Sequence, residues 1–123
     1  MAKKTIALFH PGNMGATIGA AAAASGARVL WASHERGAVT RRRAERAGLF
    51  DAGTLADALR QADVVLSVCP PHAALDVARA VAAERFSGIY VDANAVSRAT
   101  AEQIGAIIGA PGADDREIGR AHV

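Results

Sequence analysis

A chain of 123 residues is long enough for one domain of ordinary size and too short for two. Hydrophobic residues make up 51% and charged residues 21%, near the globular average, which excludes a disordered chain. A single cysteine excludes a disulfide framework, and no apolar run reaches membrane-spanning length, so a reducing, cytoplasmic setting is expected.

Alanine supplies about a quarter of the residues and only five are aromatic (Phe9, Trp31, Phe50, Phe86, Tyr90). A core made of such small side chains requires close approach, which suits helices packed on a sheet. The net charge of +2 conceals an asymmetry, because Arg36, Arg41, Arg42, Arg43 and Arg46 fall within eleven positions. A cluster that dense fits a phosphate ligand or a solvated helix face; nucleic acid is not expected, since no aromatics for base stacking are interleaved with it. Lys3 and Lys4 precede an apolar stretch, but His10-Pro11-Gly12-Asn13 interrupts it where a signal sequence would continue, so no targeting segment is read.

In chain order, Thr5–Phe9 reads as a short buried strand closed by Pro-Gly, and Asn13 to about Ser25 as a small-residue helix stopped by Gly26. Arg28–Ala32 is a second strand, and Gly37 to about Ala47 an arginine-rich helix stopped by Gly48. A weak third strand near Leu49–Ala52 precedes a helix over Thr54–Gln61, with Thr54 as its N-cap. Asp63–Cys69 is the strongest strand, ended by Pro70-Pro71, and His72 to about Arg85 is the next helix. Ser87–Asp92 is the last strand and Ser97–Ile108 the last helix. Continuous apolar strands separated by helices predict an α/β fold, a doubly wound parallel sheet of the dinucleotide-binding (Rossmann) type. Ligands of such folds bind beyond the carboxyl ends of the strands, which directs attention to the residues after positions 9, 32, 69 and 92.

His10-Pro11-Gly12-Asn13-Met14-Gly15 carries the second and third glycines of a G-x-G-x-x-G turn, with His10 at the first position. Gly12 permits backbone amides to approach a pyrophosphate at the helix N-terminus, whereas Pro11 offers no amide and His10, preceding proline, is held extended. Gly15, Gly19 and Ala23 recur at every fourth position and predict a helix lying tightly against the sheet. After the second strand come Ser33, His34 and Arg36, with no carboxylate before Glu35 to meet a ribose 2′-hydroxyl. Arginine matches phosphate geometry, so NADP is favoured over NAD. Cys69-Pro70-Pro71-His72 has no partner pair for a metal and no base for a cysteine nucleophile; its rigid turn would border the nicotinamide half. Asn94, after the last strand, offers a donor and an acceptor to substrate or nicotinamide, or serves as a turn residue before a helix capped by Ser97.

These turns together resemble the cofactor-binding domain of the β-hydroxyacid dehydrogenase and 6-phosphogluconate dehydrogenase superfamily. The resemblance is carried by IALFHPGNMG (6–15), VLWAS (29–33), DVVLSVCPPHAALDVA (63–78) and YVDANAVS (90–97). It implies that Gly12, Asn13 and Met14, with Gly15, hold the pyrophosphate; that Ser33, His34 and Arg36 meet the adenosine ribose; and that Cys69 and Pro70 border the nicotinamide. Asn94 matches a position that relatives often fill with serine near the substrate, while Asn94-Ala95 and Arg98 depart from the common Ser-Thr pair and proline. The resemblance further implies an oxidoreductase that acts on a small hydroxyacid-like substrate and dimerises through a further helical domain carrying a catalytic lysine. No lysine follows Lys4, so no catalytic residue is assigned within the chain.

Ile118-Gly119-Arg120-Ala121-His122-Val123 neither continues a helix nor begins a convincing strand. It is also the translation of ATC GGA AGA GCA CAC GTC, a string similar to a widely used sequencing-library adapter. Residues 1–116 are therefore read as a dinucleotide-binding domain incomplete at its C-terminal side, and 117–123 as a non-native tail. Such a chain is expected to bind cofactor without turnover; a stand-alone dinucleotide-binding sensor or partner module is the alternative.

Overall fold

The computed structural model describes residues 4–9, 12–109 and 120–122. Strands β1 (Thr5–Phe9), β2 (Arg28–Trp31), β3 (Phe50–Asp51), β4 (Val64–Ser67), β5 (Ile89–Asp92) and β6 (Arg120–His122) form one sheet. Its order is β3-β2-β1-β4-β5-β6, and every pairing is parallel. Helices α1 (Asn13–Ala24), α2 (Ala38–Arg46), α3 (Leu55–Gln61), α4 (Ala74–Ala83) and α5 (Arg98–Ile108) make the crossovers. The predicted α/β doubly wound sheet is thus the observed fold.

Strict alternation along the strands divides the core in two. Leu8, Val29 and Trp31 face α1 and α2, where they pack with Ala44 and Leu49. Ala7, Val65 and Tyr90 face the opposite way, onto α3, α4 and α5 through Leu59, Val77, Ala78, Val81 and Ile104. The chain changes faces at α3, between β3 and β4. Strand order reverses at the same place, so β1 and β4 are neighbours and a crevice opens where their following turns part.

Local chemistry sets the boundaries. Thr54 caps α3, its hydroxyl accepting the Asp57 N–H at 3.1 Å, and Ser97 caps α5 by accepting the Thr100 N–H at 3.1 Å. Gly26 and Gly48 follow α1 and α2 with φ of +102° and +78°, the left-handed backbone that ends a helix at least cost in glycine. Gly19 is packed so closely that a Cβ there would lie 2.9 Å from Leu8 Cδ2 and 3.0 Å from Leu49 Cδ2, which agrees with the tight helix face predicted from the glycine spacing.

The structure corrects the sequence reading in three places. β4 ends at Ser67 rather than Cys69, and a single 3-10 turn, Pro71–Ala73, precedes α4. The prolines stop the ladder, and their fixed φ starts a tighter turn before the helix. Finally, Arg120–His122 is a strand: Tyr90 pairs with Arg120, Val91 with Ala121 and Asp92 with His122. Parallel pairing uses backbone groups alone, so a segment with no apolar run can still extend a sheet edge.

Candidate functional site

The β1 turn ends at Gly12, the N-cap of α1, which is extended (φ −72°, ψ −170°) and gives its carbonyl to the Ala16 N–H at 2.8 Å. Gly12 has no side chain to cap this helix and no acidic residue lies in its first turn, so the first turn carries no negative charge of its own. A helix end of that kind is suited to an anion. Asn13 opens the helix and Met14 is exposed, while Gly15 and Ala16 are buried against the sheet. His10 and Pro11, the departure from the glycine turn, lie outside the described residues.

Beyond β2 the chain makes a tight turn in which the Arg36 N–H donates to the Ser33 carbonyl at 2.9 Å and Glu35 takes a left-handed φ of +64°. The His34 N–H donates to the Gly53 carbonyl at 2.9 Å, which ties this turn to the one after β3. Ser33 is buried, whereas the His34 and Glu35 side chains are exposed and meet each other at 3.6 Å.

Asp51 organises this corner from behind, a role the sequence reading did not assign. Its Oδ1 accepts the Gly53 N–H at 2.8 Å and its Oδ2 lies 3.6 Å from Arg41 Nη1. Burial would raise the Asp51 carboxyl, but hydrogen bonds from the Ser33 hydroxyl and from the Gly53 and Ser33 backbone, with the Arg41 charge, hold it below its ordinary value. The signal was present as Asp51-Ala52-Gly53, an Asx-turn pattern. Arg41 is thereby drawn to Asp51, and Arg36 is the cluster member that reaches the crevice.

That crevice is a cleft of about 340 Å³ at the carboxyl ends of β1 and β2, walled on its far side by α3 and α4. Phe9, Leu55, Ala73 and Val77 give it apolar walls; His34, Arg36 and Asp76 are its polar members. Asp76 is paired with Arg79 at 3.3 Å. Of the sequence-predicted residues, the structure brings His34 and Arg36 to the cleft. Ser33 lies buried beside them, and Gly12, Met14, Gly15, Cys69, Pro70 and Asn94 are not among its lining.

Cys69, Pro70 and Asn94 form a separate arrangement at the ends of β4 and β5. The Cys69 N–H donates to Asn94 Oδ1 at 2.7 Å, and Asn94 Nδ2 donates to Ser67 Oγ at 3.1 Å. Asn94, expected either to meet substrate or nicotinamide or to serve the turn, is only 6% exposed and bonds its amide to the end of β4 and the residue beyond it. The cause is the end of the ladder, where Cys69 needs an acceptor that no backbone rung supplies. Burial pushes the Cys69 thiol up, and Asp92 adds to the rise against hydrogen bonds from Ser67 and Asn94. A thiol so raised is less readily converted to thiolate than an ordinary cysteine. Beneath it Tyr90 is fully buried, with its hydroxyl pushed up to about 12 by burial. Among the described residues no group of three or more His, Cys, Asp or Glu side chains is placed to hold a metal, and no helix is long and apolar enough to cross a membrane.

The comparisons with known proteins agree with this architecture. A family model described as "NADP oxidoreductase coenzyme F420-dependent" matches residues 5–96. No curated protein sequence matches the chain. A solved protein of unknown function, described as structurally similar to 3-hydroxyacid dehydrogenases, superposes with a TM-score of 0.80 at 24% identity, covering 95% of this chain and 43% of that one. The 3-hydroxyisobutyrate dehydrogenase of Mycobacterium tuberculosis, solved with L-serine, gives 0.77 at 23% identity, covering 97% and 39%. An imine reductase from Myxococcus stipitatus, solved with NAD+, gives 0.68 at 18% identity, covering 98% and 40%. The chain thus spans about two fifths of the length of each of these structures, and at such identities the likeness establishes the fold. With the family model covering most of the chain, the chain belongs to the family described as NADP oxidoreductase, coenzyme F420-dependent, and it shares the fold of these solved structures.

Proposed function

We propose that the chain is the NADP(H)-binding part of an oxidoreductase that transfers a hydride between nicotinamide and a small hydroxyacid-like substrate. The observation that carries this reading is the cleft beyond β1 and β2, apolar inside, with His34, Arg36 and Asp76 as its polar members and no carboxylate between the end of β2 and Glu35. An adenine fits apolar walls, and a 2′-phosphate is matched by a guanidinium where a carboxylate would repel it. Gly12, Asn13, Met14 and Gly15, at the uncapped start of α1, would hold the pyrophosphate, and Ser33, His34 and Arg36 the phosphorylated ribose. Cys69 and Pro70 would border the nicotinamide.

The bound dinucleotide supplies the hydride chemistry; the chain's own residues bind and orient it. No lysine follows Lys4, so in this reading the acid/base group comes from a further domain, through which the whole protein would dimerise. Residues 117–123 are assigned to adapter-derived sequence, and the protein to the cytoplasm. Reading the source DNA across codon 117 tests both the tail and the further domain; a native stop after Val123 would favour a stand-alone binding module.

Calorimetric titration of the chain with NADPH and NADH tests the ligand. NADPH should bind about tenfold more tightly, the worth of one charge-assisted contact. Equal affinities would remove the NADP assignment, and binding of neither would remove the nucleotide reading. Oxidation of NADPH by the chain alone, with any keto acid, would overturn the placing of the acid/base group elsewhere.

A further inference from the structure

The Asn94 amide has two N–H donors and two acceptor positions, and the structure uses nearly all of them inside the chain. Oδ1 accepts the Cys69 N–H at 2.7 Å, while Nδ2 donates to Ser67 Oγ at 3.1 Å and lies 3.5 Å from Cys69 Sγ. The Asn94 backbone N–H donates to Asp92 Oδ1 at 2.9 Å, which fixes the turn that carries the side chain. The last backbone rung between β4 and β5 runs from the Ala93 N–H to the Ser67 carbonyl at 3.1 Å. The next donor along β4 is the Cys69 N–H, and Asn94 meets it with a side-chain oxygen in place of a carbonyl.

That bond has a consequence at the cleft. Pro70 and Pro71 have no N–H, so Cys69 is the last donor that can anchor the chain before His72. The 3-10 turn Pro71–Ala73 and the start of α4 follow at once, and Ala73, Asp76 and Val77 from this segment line the cleft. We propose that Asn94 is a positioning residue of the nucleotide site, acting through the Cys69 N–H to set the turn that walls the cleft, and that it does not itself touch the ligand. This inference rests on the nucleotide reading of the cleft.

The test uses two ligands, NADPH and 2′,5′-ADP, the second of which has no nicotinamide half. Both are titrated against the unaltered chain, Asn94→Ala and Asn94→Asp, well below the unfolding temperature of each. A residue that acts through the turn affects both ligands alike, so Asn94→Ala should weaken both by about fivefold, the worth of one buried hydrogen bond. Asn94→Asp keeps the acceptor for Cys69 and should recover both affinities to within about twofold of the unaltered chain. Weakening of NADPH alone would make Asn94 a direct contact and overturn the proposal. Unchanged affinities in a folded Asn94→Ala chain would overturn it also. If Asn94→Ala does not fold, Asn94→Asp decides: retained affinity supports the acceptor role and about tenfold loss of both ligands refutes it. An unaltered chain that binds neither ligand refutes the nucleotide reading and this inference together, whereas binding that a folded Asn94→Ala chain leaves untouched refutes this inference alone.

Discussion

Replacing Gly19 by alanine adds one methyl group where α1 crosses the sheet, and two opposing effects meet there. In the interior of a helix alanine is about 1 kcal/mol more favourable than glycine. Against that, the new Cβ would stand 2.9 Å from Leu8 Cδ2 and 3.0 Å from Leu49 Cδ2. Both leucines are buried, Leu8 at 1% and Leu49 at 7% exposure, so neither can swing into solvent to make room. Overpacking a filled core costs about 1–3 kcal/mol. The contacts are with side-chain ends and not with backbone, which places the cost near the middle of that range. The net expectation is a destabilisation of about 1 kcal/mol, rising to more than about 2 kcal/mol for Gly19→Val. Urea unfolding reads this directly through Trp31, the only tryptophan, which is 3% exposed and packs in the same cluster. Ala21→Gly, on the exposed side of the same helix, should lose about 1 kcal/mol and calibrates the propensity term. A Gly19→Ala chain more stable than the original by the full helix gain would refute the close approach of α1 to the sheet.

Three further perturbations address the site and its supports. Arg36→Ala should weaken NADPH about tenfold and leave NADH nearly unchanged in parallel titrations; equal loss for both would show that Arg36 does not meet the 2′-phosphate. Asp51 has a lowered folded-state pKa, so its contribution to stability is present above the unfolded value of about 3.9 and is lost as pH falls through the depressed folded value. Asp51→Asn should therefore flatten the acid limb of the unfolding profile below about pH 4, and an unchanged acid limb would remove the carboxylate from that role. Thr54→Ala removes the cap of α3 and should cost about 1 kcal/mol in the same urea assay, while a neutral result would mean that the Asp57 N–H finds another acceptor.

Much of the site was legible because its signals are local. Gly12 and Gly15 announce a turn that must bring backbone close to something, and the absence of a carboxylate before Glu35 can be read by counting. Asp51 was left unassigned and Asn94 undecided between ligand contact and turn residue for a common reason: each bonds to residues distant in the sequence. Asp51 works on Ser33 and Arg41, and Asn94 on Ser67 and Cys69, 25 and more positions away. An asparagine after a strand looks alike whether its amide faces a ligand or a neighbouring strand.

Periodicity and caps determine the elements, because both depend on residues a few positions apart; Thr5–Phe9, Thr54 and Ser97 are where the sequence places them. The alternation of apolar runs with helices likewise determines a parallel, doubly wound sheet, since few other arrangements bury such strands on both faces. Only the tertiary structure decides which residues share the cleft, for Phe9, Arg36, Leu55 and Val77 come from four separate elements or turns. It alone shows which arginine is spent on Asp51 and which donor Asn94 holds. Those assignments follow from strand order and register, and the backbone bonds that set them carry no side-chain signature.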